Sequence, residues 1–173
     1  MPFLASTVQA FRRFHGPAPL QNRENFRYNL PPVESPTKIY NEQITIQSTK
    51  AREVFNITAQ LKAAMEKSGF RDGIIVVTSL HSNSAVIVND EEPDLLEDLD
   101  AWLNRLAPVS DDYKHKGRFE SNSSAHFQSL LLHHQVVVPF TEGRLDLGPW
   151  QFVLYVELDG LRPKRIIAKV MGE

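Results

Sequence analysis

Three apolar segments near the C-terminus constrain the fold more than any other feature of this 173-residue chain. They are 136–140 (VVVPF), 150–158 (WQFVLYVEL) and 165–171 (RIIAKVM), and all are rich in the β-branched and aromatic residues typical of strands. Glu142-Gly143 and Asp159-Gly160 separate them as turn residues, with a tight hairpin predicted at Asp159-Gly160. Parallel neighbours need longer crossovers, so the pattern favours antiparallel pairing of these strands.

The part of the chain before them mixes strand and helix patterns. In order, it predicts a strand at 43–48, a helix at 53–68, strands at 73–80 and 84–88, a helix at 94–107 and a short helix at 124–132. The strands at 73–80 and 84–88 can pair as a hairpin, and Gly69 is a natural end for the first helix. Strands and helices that do not alternate regularly predict an α+β domain.

Residues 1–37 differ from the rest, because they contain six of the eleven prolines. Proline fixes φ and removes a hydrogen-bond donor, so no long helix or central strand can cross this segment. We therefore predict a Pro-rich N-terminal extension over 1–37, wrapped on the domain or on a neighbouring subunit, and a compact domain over 38–173. Arg12, Arg13 and His15 precede any acid, which suggests a basic arm rather than a transit peptide.

Composition narrows the function classes. The chain has no cysteine, so any metal must use imidazole, carboxylate or amide ligands, and a reducing, cytoplasmic location is expected. A formal net charge of -2 gives no reason to expect nucleic acid as a partner. No segment approaches the roughly 20 apolar residues of a membrane span, so no membrane partner is expected.

Three of the six histidines lie where a polar site could form. His81 follows a predicted buried strand, His115 lies in a polar loop predicted over 109–121, and His126 begins the short helix. Three imidazoles from three elements suit a facial metal site, to which Asn122 could add an oxygen ligand or a supporting hydrogen bond. The alternative is that His81 is a strand-end histidine with its hydrogen bonds satisfied and that His115 is solvated.

Other polar residues allow similar pairs of interpretations. Asp90, Glu91 and Glu92 precede a helix, where acids interact favourably with the helix dipole, although one of them could be a metal ligand or general base. Arg162 could bind a phosphate, but exposed strand arginines are more common. His133 and His134 are adjacent and point to opposite faces of a strand, so structural roles are predicted for them, and for His15.

Several motifs together resemble the YjbQ-like family, over roughly residues 39–173. They are His81-Ser-Asn-Ser-Ala-Val-Ile-Val-Asn-Asp90, Pro93-Asp94 with Asp98, Tyr113-x-His115, Asn122-x-x-Ala-His126, Val138-Pro139, Gly143-x-Leu-x-Leu-Gly-x-Trp-Gln151 and Glu157-x-Asp-Gly-x-Arg162. The resemblance implies a two-sheet antiparallel β-sandwich with two main helices and one short helix, assembled as a homotrimer.

The resemblance also implies a site near subunit contacts. It implies metal ligands at His81, His115 and His126, cofactor-binding residues at Asn122 and Ser82, and catalytic residues at Asp90, His126 and Arg162. Imidazole ligands favour a zinc-like divalent metal, with magnesium as the alternative. Asp90 stands where the family commonly has Glu, and His134 where it has Gly, so the local pocket shape differs from the family pattern.

Two functions follow as expectations. In the first, the metal-binding pocket acts on or binds a phosphorylated small molecule, as in a thiamine-phosphate synthase-type transferase, where a thiazole phosphate nitrogen displaces pyrophosphate from an aminopyrimidine. In the second, the same pocket serves a non-catalytic ligand-binding or assembly protein.

Overall fold

A computed structural model of the chain describes residues 38–109, 112–115 and 122–173. The predicted N-terminal extension over 1–37 lies outside the described residues, as does most of the predicted loop over 109–121.

Eight strands and three helices make up the part of the chain that the structure describes. They are β1 (Lys38–Gln47), β2 (Glu53–Asn56), α1 (Thr58–Ser68), β3 (Gly73–Ser79), β4 (Ser84–Asn89), α2 (Pro93–Leu106), α3 (Ser123–Leu132), β5 (Gln135–Thr141), β6 (Arg144–Leu145), β7 (Phe152–Glu157) and β8 (Pro163–Gly172). One sheet has the order β1-β8-β3-β5-β6, the other has β2-β7-β4, and every pairing is antiparallel. The predicted α+β fold with two antiparallel sheets is confirmed.

The main core lies between the two sheets and α1. Alternate residues of the larger sheet point into it, as on β8, where Ile166, Ala168 and Val170 are fully buried. Tyr155 of β7 and Leu61 of α1 belong to the same cluster. A smaller cluster, which includes Leu103 of α2 and Ala125 of α3, covers the other face of the three-stranded sheet. That sheet is therefore buried on both faces, which explains why β7 is almost continuously apolar.

Two predicted hairpins are wrong. β3 lies in the five-stranded sheet and β4 in the three-stranded sheet, so the turn between them is a crossover. The Asp159-Gly160 turn likewise carries the chain from β7 to β8 in the other sheet. A short polar turn can join two strands of one sheet or carry the chain to the other sheet. Here the chain crosses over, which allows the three-stranded sheet to be buried on both faces. The predicted turn at Glu142-Gly143 does join a hairpin, formed by β5 and β6.

The predicted helix at 53–68 is correct only in its second part. Glu53–Asn56 is β2, which pairs with β7. α1 then runs from Thr58 to Ser68, and Gly69, with its positive φ of 70°, ends it as predicted. Val54 and Phe55 favour strands, and the backbone pairing with β7 outweighs their helical spacing. No helix in the described residues is both long and apolar enough to cross a membrane.

Candidate functional site

The two crossovers between the sheets lie side by side and form the polar end of the fold. Ser84, the first residue of β4, pairs with Glu157, the last residue of β7. The β3–β4 turn, residues 80–83, is therefore adjacent to the β7–β8 turn, residues 158–162. α3 packs beside β4 and brings its own N-terminus to the same place, where Asn122 contacts the β7–β8 turn.

A buried ion pair holds the two sheets together at this end. The Lys164 ammonium lies 3.1 Å from Oε1 of Glu157, and their side chains are 1% and 0% exposed. Lys164 also donates to Oδ1 of Asn83 at 2.9 Å, and the Tyr155 hydroxyl donates to Oε2 of Glu157 at 3.0 Å. Burial raises the pKa of Tyr155, so the phenol keeps its proton and stays a donor. Both charges have charge-assisted hydrogen bonds, which a buried pair needs to be tolerated.

The carboxylate of Asp159 binds polar side chains from the β3–β4 turn, the start of α3 and the β7–β8 turn. Its Oδ2 accepts hydrogen bonds from Nδ2 of Asn83 at 2.7 Å and from Nδ2 of Asn122 at 2.9 Å, and it forms an ion pair with Arg162. Oδ1 of Asn122 is buried and has no hydrogen-bond partner among the described residues. The carboxylate thus fixes the start of α3 against both crossovers.

His81 is held as a neutral imidazole. Its Nε2 accepts a hydrogen bond of 2.9 Å from the backbone N–H of Arg165. Burial lowers the pKa of His81, and the positive charge of Lys164 lowers it further. Because Nε2 is the acceptor, the ring proton is on Nδ1, which is left as a donor.

Beside His81 lies an open cleft of about 550 Å³, here called the His81 cleft. It is lined by Ser79, Leu80, His81, Ser82, His126, Ser129, Leu130, His133 and His134. A smaller cavity of about 220 Å³, on which His115 and Phe127 lie, shares His126 with it. The rings of His115 and His126 meet edge to face, with centroids 5.3 Å apart. His126 therefore lies on both cavities, His81 on one and His115 on the other.

Comparison with known proteins places the chain in a family. The family profile described as "UPF0047 protein YjbQ-like" matches residues 42–173. The chain belongs to the YjbQ-like UPF0047 family. A UPF0047 protein of Archaeoglobus fulgidus is 38% identical over 129 residues, which cover 75% of this chain and 99% of that protein.

Solved structures agree with this assignment. A YbjQ-like protein of unknown function from Sulfolobus solfataricus P2 superposes with a TM-score of 0.75 and 32% identity, covering 79% of this chain and 99% of that one. A YjbQ/UPF0047 protein from Clostridium acetobutylicum superposes with a TM-score of 0.70 and 29% identity, covering 75% and 98%. The YjbQ-like fold of this chain is thereby shown.

The structure of the YjbQ-like domain brings only some of the predicted site residues together. His81, Ser82 and His126 share the His81 cleft, whereas Asn122 and Arg162 meet at Asp159. Asp90 follows the far end of β4, about 20 Å from the turn that carries His81 at a strand rise of about 3.3 Å per residue. Its Oδ1 accepts from the backbone N–H of Glu92, so within one chain Asp90 is not part of the cleft.

The predicted metal-binding histidine cluster is wrong. Among the described residues, no group of three or more His, Asp or Glu side chains could hold a metal ion. The Nε2 lone pair of His81 is engaged by Arg165, and His115 lies on the neighbouring cavity. The predicted zinc-like or magnesium cofactor therefore lacks a ligand set in this part of the chain.

The predicted thiamine-phosphate synthase-type function is wrong as well. The relatives are named only as UPF0047 proteins, and the Sulfolobus structure is described as a protein of unknown function. The geometry gives a physical reason against a phosphorylated ligand, because no arginine or lysine lines the His81 cleft and Arg162 is paired with Asp159.

The residues that organise this end of the fold stand out by no local sequence pattern. His133 and His134 line the cleft although structural roles were predicted for them. Asn83, Asp159, Glu157 and Lys164 form the polar network, and only their positions within or beside the family motifs could have indicated them. An ion pair between distant strands leaves no local pattern in a sequence.

Proposed function

We propose that this YjbQ-like protein binds a small, uncharged organic molecule in the His81 cleft. The observation that carries the proposal is the fixed neutral state of His81, whose Nε2 accepts from Arg165. Its Nδ1–H has no acceptor among the residues that the structure describes, although His81 lines the cleft. Ligand pockets usually combine apolar walls with a few precisely placed polar groups, which orient the ligand. An imidazole held in one tautomer places its N–H donor in this way.

The lining residues define the class of ligand. Leu80 and Leu130 offer apolar surface, while the imidazoles and Ser82 offer hydrogen bonds, and none of the lining side chains is a carboxylate, an ammonium or a guanidinium. An ionised ligand would lose hydration without gaining an opposite charge. A ring-bearing molecule with one carbonyl acceptor satisfies both the apolar wall and the Nδ1–H donor.

Saturation-transfer NMR tests this proposal with 2-pyridone and benzamide as neutral probes and phenyl phosphate as the charged comparison. We expect the neutral probes to receive saturation from the protein and to lose at least half of it in His81→Ala and Leu130→Ala. Leu131→Ala is the matched control, since Leu131 is also exposed on α3 but does not line the cleft. Equal signals in the wild type and both cleft variants, or preference for phenyl phosphate, would overturn the proposal.

Three further expectations stay predictions. The homotrimer rests on the family resemblance, and the cytoplasmic location rests on the absence of cysteine. The catalytic role of His126 is also a prediction, supported by its position on both cavities.

A further inference from the structure

Helix α2 keeps most of its apolar surface uncovered. Leu103 is the one residue of this helix that is buried, whereas Leu95, Trp102 and Leu106 are exposed, Trp102 by 42% and Leu106 by 53%. With the half-buried Leu99, these side chains recur at intervals of four, three and four residues. This is the spacing of the seam by which one helix packs along another.

A groove lies next to these side chains, on the side of α2 that faces the three-stranded sheet. It encloses about 620 Å³ between α2 and strands β2 and β7. Its apolar lining consists of Val54, Leu96, Leu99, Leu103, Val156 and Leu158. The helix seam and the groove share Leu99, so together they form one apolar surface, here called the α2 surface.

Acidic side chains outnumber basic ones around the α2 surface. The charged lining of the groove consists of Lys50, Arg52, Glu53, Glu97, Asp100 and Glu157. The helix itself carries Asp94, Glu97, Asp98 and Asp100 against Arg105 as its only base. Asp100 is paired with Arg52, but Asp94, Glu97 and Asp98 form no ion pair with any residue in the described ranges. Together with the acids at 90–92, which directly precede the helix, these side chains are here called the acidic rim.

We infer that the α2 surface docks a basic amphipathic helix of a partner protein. The apolar stripe of that helix packs along Leu95, Leu99, Trp102 and Leu106, and its lysines or arginines face the acidic rim. Trp102 is the anchor, because a large aromatic side chain at the centre of a contact contributes most to affinity.

The same charge argues against other occupants. Anionic lipid and nucleic acid are repelled by the unpaired acids. A second copy packed with its own α2 against this one would place two acidic helices side by side, where like charges oppose association. A positively charged partner avoids this electrostatic repulsion. Contact with a different face of a second copy is the alternative that Leu106→Glu tests.

Trp102 reports directly on the proposed contact. The chain has two tryptophans, and Trp150 is highly exposed, so Trp150→Phe in the full-length protein leaves Trp102 as the only indole. The probe is a 14-residue helical peptide with a leucine stripe flanked by lysines, and the comparison peptide has glutamate at every lysine position. We expect the lysine peptide to shift the Trp102 emission to the blue and to bind at least tenfold more weakly at 300 mM than at 50 mM salt.

Substitutions of acidic and apolar side chains distinguish specific docking at the α2 surface from non-specific binding. Glu97→Lys with Asp98→Lys should weaken binding of the lysine peptide about tenfold. Glu142→Lys with Asp146→Lys, which changes two acids on either side of β6, should not. Leu106→Ala should weaken binding and Leu161→Ala should not, since both leucines are exposed but only Leu106 lies on the α2 surface.

Three outcomes would overturn the inference. The first is that the lysine peptide leaves the emission of Trp102 unchanged, and the second is that the glutamate peptide binds as tightly as the lysine peptide. The third is that Leu106→Glu lowers the mass of the unliganded protein measured by light scattering. The last result would assign the α2 surface to contacts between copies of the chain.

Discussion

His81 lies in the β3–β4 crossover and Lys164 directly follows the β7–β8 crossover, yet one of these basic side chains is neutral and the other is charged. His81 is kept neutral by burial and by the positive charge of Lys164, whereas Lys164 has the carboxylate of Glu157 at 3.1 Å. Residue type alone does not determine either state. The contacts of each side chain do, because a buried charge is stable only with a partner of opposite sign.

The neutral state of His81 makes the stability of the fold depend on pH. Its pKa is lower in the folded chain than the ordinary value of about 6.5, so the unfolded chain binds more protons in mildly acidic solution. We expect the contribution of His81 to be complete above about pH 6.5 and to decline as the pH falls below that value. Protonation also removes the acceptor for Arg165.

Urea unfolding of the wild type and His81→Gln at pH 7.5 and pH 5.5 measures this contribution. The wild type should lose more unfolding free energy on acidification than His81→Gln, which cannot titrate. His134→Gln, which replaces an exposed histidine on the same cleft, is the matched control. The same loss in all three proteins would contradict the prediction.

Lys164→Met should destabilise the fold by about 3–5 kcal/mol, since it leaves the Glu157 carboxylate buried without its cation. The matched control is Lys169→Met on the same strand, where the side chain is exposed and a change within about 0.5 kcal/mol is expected. Chemical denaturation measures both values. Adding Glu157→Gln to Lys164→Met should recover part of the loss, and an equal loss in the two single variants would disprove the role of the pair.

At the scale of elements, the way the strands are joined matters more than the strands themselves. β3 leads into β4 and β7 leads into β8 by crossing from one sheet to the other, and this places His81 beside Arg165 and Asn83 beside Asp159. Had the same turns closed hairpins, these polar side chains would lie within one sheet. The site at this end is therefore a consequence of the topology.

Gly73, the first residue of β3, is required for the close approach of three strands. A Cβ at this position would overlap the carbonyl oxygen of Met171 and lie 2.9 Å from the ring of Phe140. We expect Gly73→Ala to cost about 1–3 kcal/mol through overpacking, as measured by urea denaturation.

The control for this substitution is Gly148→Ala. A Cβ there would lie 3.4 Å from the flexible side chain of Gln151, which can move aside. Its unfolding free energy should stay close to that of the wild type. Equal effects of the two substitutions would show that packing at Gly73 is not limiting.

At the scale of the whole molecule, a second group of large apolar side chains is exposed to solvent. Leu80, Phe127, Leu130 and Leu131 are exposed around the His81 cleft and α3. Clustered exposed apolar side chains are typical of surfaces that bind a partner. This cluster shares no residue with the α2 surface.

The predicted homotrimer can be measured directly. Size-exclusion chromatography with light scattering should give a mass of about 59 kDa, three times the 19.7 kDa of one chain. Leu131→Glu, on the exposed side of α3, should shift the mass towards one chain if α3 lies in the subunit contact. A mass of one chain for the wild type would contradict the trimer.

Local sequence patterns are sufficient to predict the existence and type of most helices and strands. The helices α2 and α3, the strands β3, β5, β7 and β8, and the end of α1 at Gly69 all follow from patterns that span neighbouring residues. Such patterns record which faces of an element are apolar, and burial of those faces is local enough to be read along the chain. The family motifs added the two-sheet arrangement.

Which strands are neighbours, and which partners the polar side chains find, depends on the tertiary structure. It turned two expected hairpins into crossovers, made Glu53–Asn56 a strand against β7, and separated Asp90 from the histidines. It also engaged His81 with Arg165, so that three histidines that spacing allowed as ligands do not form a metal site among the described residues. Hydrogen bonds and ion pairs between residues far apart in the chain depend on topology, and topology is set by the burial of whole sheets rather than by any local pattern.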